Sequence, residues 1–221
     1  MNKISKTFHV FLLSALVILP VKCFPQQSRL SKGVNYISGF VASERFAGLR
    51  KNNDDLALAD SIYLRAVKFE NQNYSEALFA LTFAAIPYRV IPIKFPLLPF
   101  IIHYPLTSAD INVYNKKNEQ FPRYFYFDSP NNNYGDKDKL AHFYGSAFIT
   151  YGSNIFDLGD LIGYFVEVFE QNFKVQSGVD PRDLHTNELG DMFGEILKKN
   201  KEVLPSQVML MKTLFYTRYH L

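Results

Sequence analysis

Between positions 54 and 86 the apolar residues return every three or four places. Leu58, Ile62, Ala66 and Phe69 fall on one stripe, and Ala77, Leu78, Leu81 and Ala85 on a second. That period is helical. The polar run ENQNYS between the stripes is a turn, so the stretch predicts a helical hairpin over 54–86. Asp54 or Asp55 is the expected N-cap of its first helix and Ser75 of its second. Upstream, scattered apolar positions predict a helix over 34–49, closed by the polar run RKNNDD.

The pattern breaks at residue 86. IPYRVIPIKFPLLPFIIHYPL carries five prolines in twenty-one residues. Proline removes a backbone donor and restricts the residue before it, which excludes a regular helix and a central strand. Extended chain is expected, with short strands around 100–104, 111–114 and 124–127, then a turn-rich loop at DSPNNNYGDKD. Helical spacing returns over 137–151, 156–173 and 181–200. Asp180 followed by Pro181 is a strong start signal for the last of these. The closing run SQVMLMKTLFYTRYHL suits a short helix by its Met and Leu spacing, or a strand by its Thr, Tyr and Phe content. The fold class is therefore mainly α: a helical bundle interrupted by an irregular proline-rich segment with short strands.

The first 23 residues change the domain picture. Lys3 and Lys6 precede an apolar run from Val10 to Leu19, then Pro20. This is the layout of a secretory signal peptide. The run is shorter than the roughly 20 residues that span a bilayer, although a retained anchor is the alternative outcome. One mainly helical domain, 24–221, would remain: the hairpin 54–86, an irregular part 87–135 and a three-helix region 136–200. The only cysteine, Cys23, sits where a lipoprotein cysteine would sit, but Lys22 before it is not the small residue that lipidation needs. Cleavage after Cys23 leaves no cysteine and no disulfide. It also removes three lysines and no acid, so the formal net charge of +3 falls to zero. Charge gives no case for binding nucleic acid. With 21 Phe and 14 Tyr, much aromatic surface must be buried or must meet a partner or a membrane face.

Three polar pairs interrupt the C-terminal helices. Asp138 and His142, Glu167 and Glu170, and Asp183 and Asn187 are each three or four residues apart, so each pair shares a helix face. Gly190 and Gly194 continue the last face and would let another helix approach closely. Carboxylates in an apolar bundle need a cation, a donor or a proton. Facing helices that project Asp, Glu and His inward build metal sites in bundles. The set Asp138, His142, Glu167, Glu170, Asp183 and Asn187 would suit a divalent metal or a small polar ligand, with zinc, manganese, iron and calcium all compatible. The plainer account pairs Asp138 and Asp183 with helix N-termini and with Lys137, Lys139 or Arg182. His185 lies two residues from Asp183 and projects elsewhere.

The order DKLAH, then EVFE, then D-x-x-x-N-x-x-G-x-x-x-G resembles the YfiM-like family of periplasmic lipoproteins and, more distantly, the VanZ-like membrane proteins. The likeness covers about residues 136–197, at Asp138, Lys139, His142, Glu167, Glu170, Asp183, Asn187, Gly190 and Gly194. It implies an envelope location. VanZ-like proteins are linked with resistance to glycopeptide antibiotics. The several membrane spans of that group are missing here, because Asp157, Asp160, Glu167 and Glu170 interrupt the best candidate. Two function classes follow. One is an exported envelope protein with a polar inter-helix site, with hydrolysis open to it if His142 acts as base or ligand and Glu167 and Glu170 hold metal or water. The other is a non-enzymatic scaffold whose aromatic, proline-rich middle docks an envelope protein or a membrane surface.

Overall fold

A computed structural model describes residues 28–94, 101–152 and 181–220. Among them are eight helices and one two-stranded sheet, so the protein is mainly α. The helices are α1 (Arg29–Val41), α2 (Glu44–Arg50), α3 (Asp55–Phe69), α4 (Tyr74–Ala85), α5 (Ile111–Gln120), α6 (Lys139–Gly152), α7 (Pro181–Lys199) and α8 (Pro205–His220). Strands β1 (Val90–Lys94) and β2 (Ile101–Pro105) pair antiparallel between α4 and α5. The signal-like segment 1–23, the helix expected over 156–173 with Glu167 and Glu170, and Asp180 lie outside the described residues.

The hairpin forms as its pattern dictates. Asp54 caps α3, its carboxylate accepting from the Ala57 amide at 2.8 Å. Asp55 works over a longer range: its Oδ2 accepts from the Arg123 and Tyr124 amides, each at 2.8 Å, and ties a distant loop to the start of α3. Asp54→Ala should therefore cost about 1 kcal/mol, the usual loss for an N-cap, measured as a shift in the urea midpoint at unchanged slope. The second cap is Asn73, not Ser75. Asn71 and Gln72 take left-handed φ of 53° and 64°, which closes α3 and delivers the Asn73 side chain to the Glu76 amide at 3.2 Å. Ser75 is instead buried in the first turn.

Three other expectations are corrected. The helix expected over 34–49 is two helices, because Ser43 turns away from helical geometry and caps α2 through the Phe46 amide at 3.2 Å. Residues 111–114 are not a strand but the start of α5, opened by Asp110, whose side chain accepts from the Asn112 amide. Residues 124–127 form no strand, since the Arg123 and Tyr124 amides are taken by Asp55 and the Phe125 amide by Asp136. The strand expected near 100–104 is present as β2, and it has a partner, β1, that contains Pro92. A two-stranded ribbon has an open edge on each strand, where a missing amide costs nothing. The ambiguous C-terminal run is helix α8. Gln207 reaches back to the Leu204 amide at 2.9 Å, and the Asp60 carboxylate takes the Ser206 amide at 2.9 Å.

Two helices are the axis of the core. Every α4 residue from Ala77 to Ala85 is buried, as is every α6 residue from Lys139 to Phe148. A helix that is covered on all sides belongs in the middle of a bundle. α4 packs on α1, α3 and α6, and α6 packs along α7. Phe79 of α4 stacks on Phe148 of α6 at 4.8 Å between ring centroids. Phe193 of α7 meets Phe143 at 5.2 Å and Tyr63 of α3 at 5.4 Å. No helix among the described residues is long and apolar enough to cross a membrane.

Candidate functional site

α6 and α7 run parallel. Asp138 lies by Asp183 at their N-terminal ends, Gly190 lies against Phe143 and Ser146, and Thr150 bonds Asp191 at 2.7 Å further along. Both N-termini therefore open at the same place. Parallel dipoles side by side repel, and acids at their positive ends offset this by roughly 0.3–1 kcal/mol each. Asp138, immediately before α6, and Asp183, in the first turn of α7, are those acids.

The turn into α6 is held from beneath. Gly135 takes φ +57°, a conformation that side chains rarely adopt. It directs Asp136 inward, where the fully buried carboxylate accepts from the Phe125 amide at 3.2 Å, from the Ser129 hydroxyl and from Arg182 of α7. Arg182 also meets Asp128 at 3.4 Å. Thr186, one turn on, donates to the Arg182 carbonyl at 2.7 Å, so the Tyr126 hydroxyl donates to Thr186 at 3.2 Å. This joint fixes the start of α7 relative to α6.

Above the joint lies the polar cluster. One atom each of Asp138, His142 and Asp183 lies within 4.8 Å of the others, and all three residues are buried. Lys139 reaches into the same space. Its ammonium donates to Asp138 at 3.2 Å and to Asp183. His142 Nδ1 is 3.3 Å from the Asn187 side-chain oxygen, and Nε2 is 3.7 Å from Asp183 Oδ1. With Nδ1–H donating to Asn187, the imidazole lone pair falls on Nε2, the nitrogen on the Asp183 side.

The electrostatics assign protonation states. Burial pushes the His142 pKa below its ordinary value, against the pull of Asp183 and Asp138, so the imidazole is neutral at pH 7. Burial also lowers Lys139, but Asp138 and Asp183 outweigh it and hold the lysine above its usual value. It is a firm cation and not a base. Two tyrosines from distant loops stand close enough to feel the same carboxylates. Burial, then Asp138, raises Tyr134 to about 12. Tyr88 is raised by burial, with Tyr134, Asp138 and Asp183 adding. Both remain protonated hydroxyls.

The structure thus brings together four of the six residues expected at the site: Asp138, His142, Asp183 and Asn187. Glu167 and Glu170 fall outside the described residues. Asn187 touches the imidazole rather than the carboxylates and orients the ring. Gly190 and Gly194 do permit close approach: a Cβ at Gly194 would stand 2.8 Å from the Ala147 carbonyl oxygen. His185 is exposed and pairs with Glu188 at 3.2 Å, away from the cluster. Tyr88 and Tyr134 carried no signal in the sequence, because loop residues have no period to read.

No family model matches the chain, and neither a curated protein nor a solved structure matches it.

Proposed function

We propose that this is an exported cell-envelope protein whose α6–α7 seam takes a divalent metal, with a small polar ligand as the broader class the same groups could hold. Asp138, His142 and Asp183 are the ligands and Asn187 sets the imidazole. One observation carries the reading: the buried His142 faces Asp183 with Nε2 at 3.7 Å and lies in one group with Asp138, while its Nδ1 stands 3.3 Å from the Asn187 amide oxygen. Ligating histidines are oriented through the second nitrogen in this way, which fixes the tautomer. Ligand atoms about 2.1 Å from one ion stand roughly 3–4 Å apart, so a group spread over at most 4.8 Å needs only a small contraction. Imidazole with carboxylates suits zinc or manganese better than calcium. The basic, apolar start of the chain and the DK-x-x-H likeness to YfiM-like proteins support the envelope location.

The test is elemental analysis by plasma mass spectrometry, after dialysis of the mature chain against zinc and manganese. Wild type should hold one equivalent, and His142→Ala should lose at least tenfold in affinity. A second reading has its own support: Lys139 already neutralises both aspartates, as in a scaffold where the cluster only fixes helix register. No bound metal in wild type, with an unchanged melting temperature in His142→Ala, would favour that scaffold.

A further inference from the structure

We infer that Lys139 is a built-in competitor for the metal, so that a divalent ion enters only as the lysine ammonium withdraws. The inference rests on the metal reading of the α6–α7 site. It follows from who holds which oxygen. The Asp183 oxygen that faces His142 Nε2 at 3.7 Å is the one that accepts from Lys139. Asp138 also gives Lys139 an oxygen, at 3.2 Å. A metal on the three ligands needs these same lone pairs. An ammonium and a divalent ion about 4 Å apart in a buried setting would repel strongly, so the two occupants exclude each other.

The chain makes the exchange feasible. Lys139 is the first residue of α6. Its Cα stands at a helix end, and its four-carbon stem has several rotamers. Asp138, immediately before α6, is tied to the first turn by its carbonyl, which accepts from the His142 amide at 3.2 Å, and Asp183 is braced by the Arg182 joint beside it. The ligands can hold their places while the lysine leaves. In the metal-free protein the ammonium keeps two buried carboxylates from facing each other unpaired. It therefore preserves the site and blocks it at once, and the metal affinity of the wild type is set by that contest.

Two measurements on the mature chain test this. Zinc and manganese are titrated against wild type, Lys139→Met and Lys139→Arg, with a chromophoric chelator as competitor. Lys139→Met should bind at least tenfold more tightly than wild type, and its lowered melting temperature should recover on metal addition. Lys139→Arg retains a cation and should bind no better than wild type. The second measurement needs no variant. Acetylation of wild-type lysines by an activated ester, mapped by mass spectrometry, should leave Lys139 protected without metal. Labelling of Lys139 should rise several-fold in saturating manganese. Equal affinity of wild type and Lys139→Met, or a Lys139 that stays protected while manganese is bound, would overturn the competition and leave the metal site standing. Tighter binding in wild type than in Lys139→Met would overturn it too, because the lysine would then support the site. If no chain binds either metal, including Lys139→Met with its normal fold verified, the metal reading itself falls and the competition falls with it.

Discussion

Gly190→Ala should destabilise the protein by about 3 kcal/mol, whereas Gly39→Ala should stabilise it by roughly 0.5–1 kcal/mol. Both glycines lie inside helices, so the change relieves the same backbone entropy cost at each. What differs is the space. Gly39 is exposed on α1, and a Cβ there meets nothing within 4 Å. At Gly190 a Cβ would overlap the Phe143 carbonyl oxygen and stand 2.9 Å from the Ser146 Cβ. The first of these is backbone of α6 and cannot rotate away, so α6 and α7 must separate. Separation would pull Phe193 off Phe143 and Asp183 off Lys139, which joins core packing and the polar cluster to one contact. Urea unfolding of the three chains decides it. A Gly190→Ala protein within about 0.5 kcal/mol of wild type would mean that the seam is looser than these distances require.

The same contact shows what the sequence could and could not disclose. Gly190 and Gly194 were legible because they continue the face of Asp183 and Asn187 at helical spacing. Asp138 and His142 were legible for the same reason. Local periodicity finds any group whose partner lies on the same helix face. It does not find Asp136 with Arg182, which are 46 residues apart and joined only by the fold. Lys139 was legible as one of the cations that the plainer account pairs with Asp138 and Asp183, though periodicity alone does not put it there. One step from Asp138 on the helical wheel, the lysine belongs to another face, and its long stem carries the ammonium back to both aspartates. α5 was hidden by composition: its first residues, Ile-Asn-Val-Tyr, favour strand, and the Asp110 cap outweighs that preference. β1 was hidden by Pro92, whose missing amide is harmful only in a sheet wide enough to cover both edges. The bundle was thus readable where apolar faces repeat, and unreadable where a single cap or a distant ion pair decides.

The second large effect is a rise in stability with pH, and it comes from one lysine. Wild type should gain about 3 kcal/mol between pH 7 and 9.5 relative to Lys117→Met. Lys117, in α5, is 2% exposed. Its Nζ donates to the Ala84 carbonyl at 2.8 Å and the Ile86 carbonyl at 3.1 Å, at the C-terminal end of α4, and it lies 4.9 Å from the Tyr114 ring centroid. A cation suits the negative end of a helix, but two carbonyls and a ring do not replace the water it has lost. Burial pushes its pKa from 10.5 down to about 7, and Lys137 adds to the fall. The folded chain therefore takes up this proton only below about pH 7, whereas the unfolded chain holds it up to about 10.5. Between those values the unfolded state binds more protons, so raising the pH favours folding. Buried tyrosines such as Tyr63 and Tyr88, whose pKa values are raised, work in the opposite sense once the unfolded chain begins to ionise them near pH 10. Both proteins carry them, so the difference below that pH isolates Lys117. Methionine fills the same channel without a charge and gives up two hydrogen bonds, roughly 1 kcal/mol each, at every pH. Urea midpoints at pH 7 and 9.5 therefore separate a constant offset from a slope. Parallel profiles for the two chains would mean that the ammonium stays solvated in the folded state. A steeper wild-type profile would mean that the core holds this lysine as an amine for most of the range, and that the end of α4 is tied down by a donor that needs no charge.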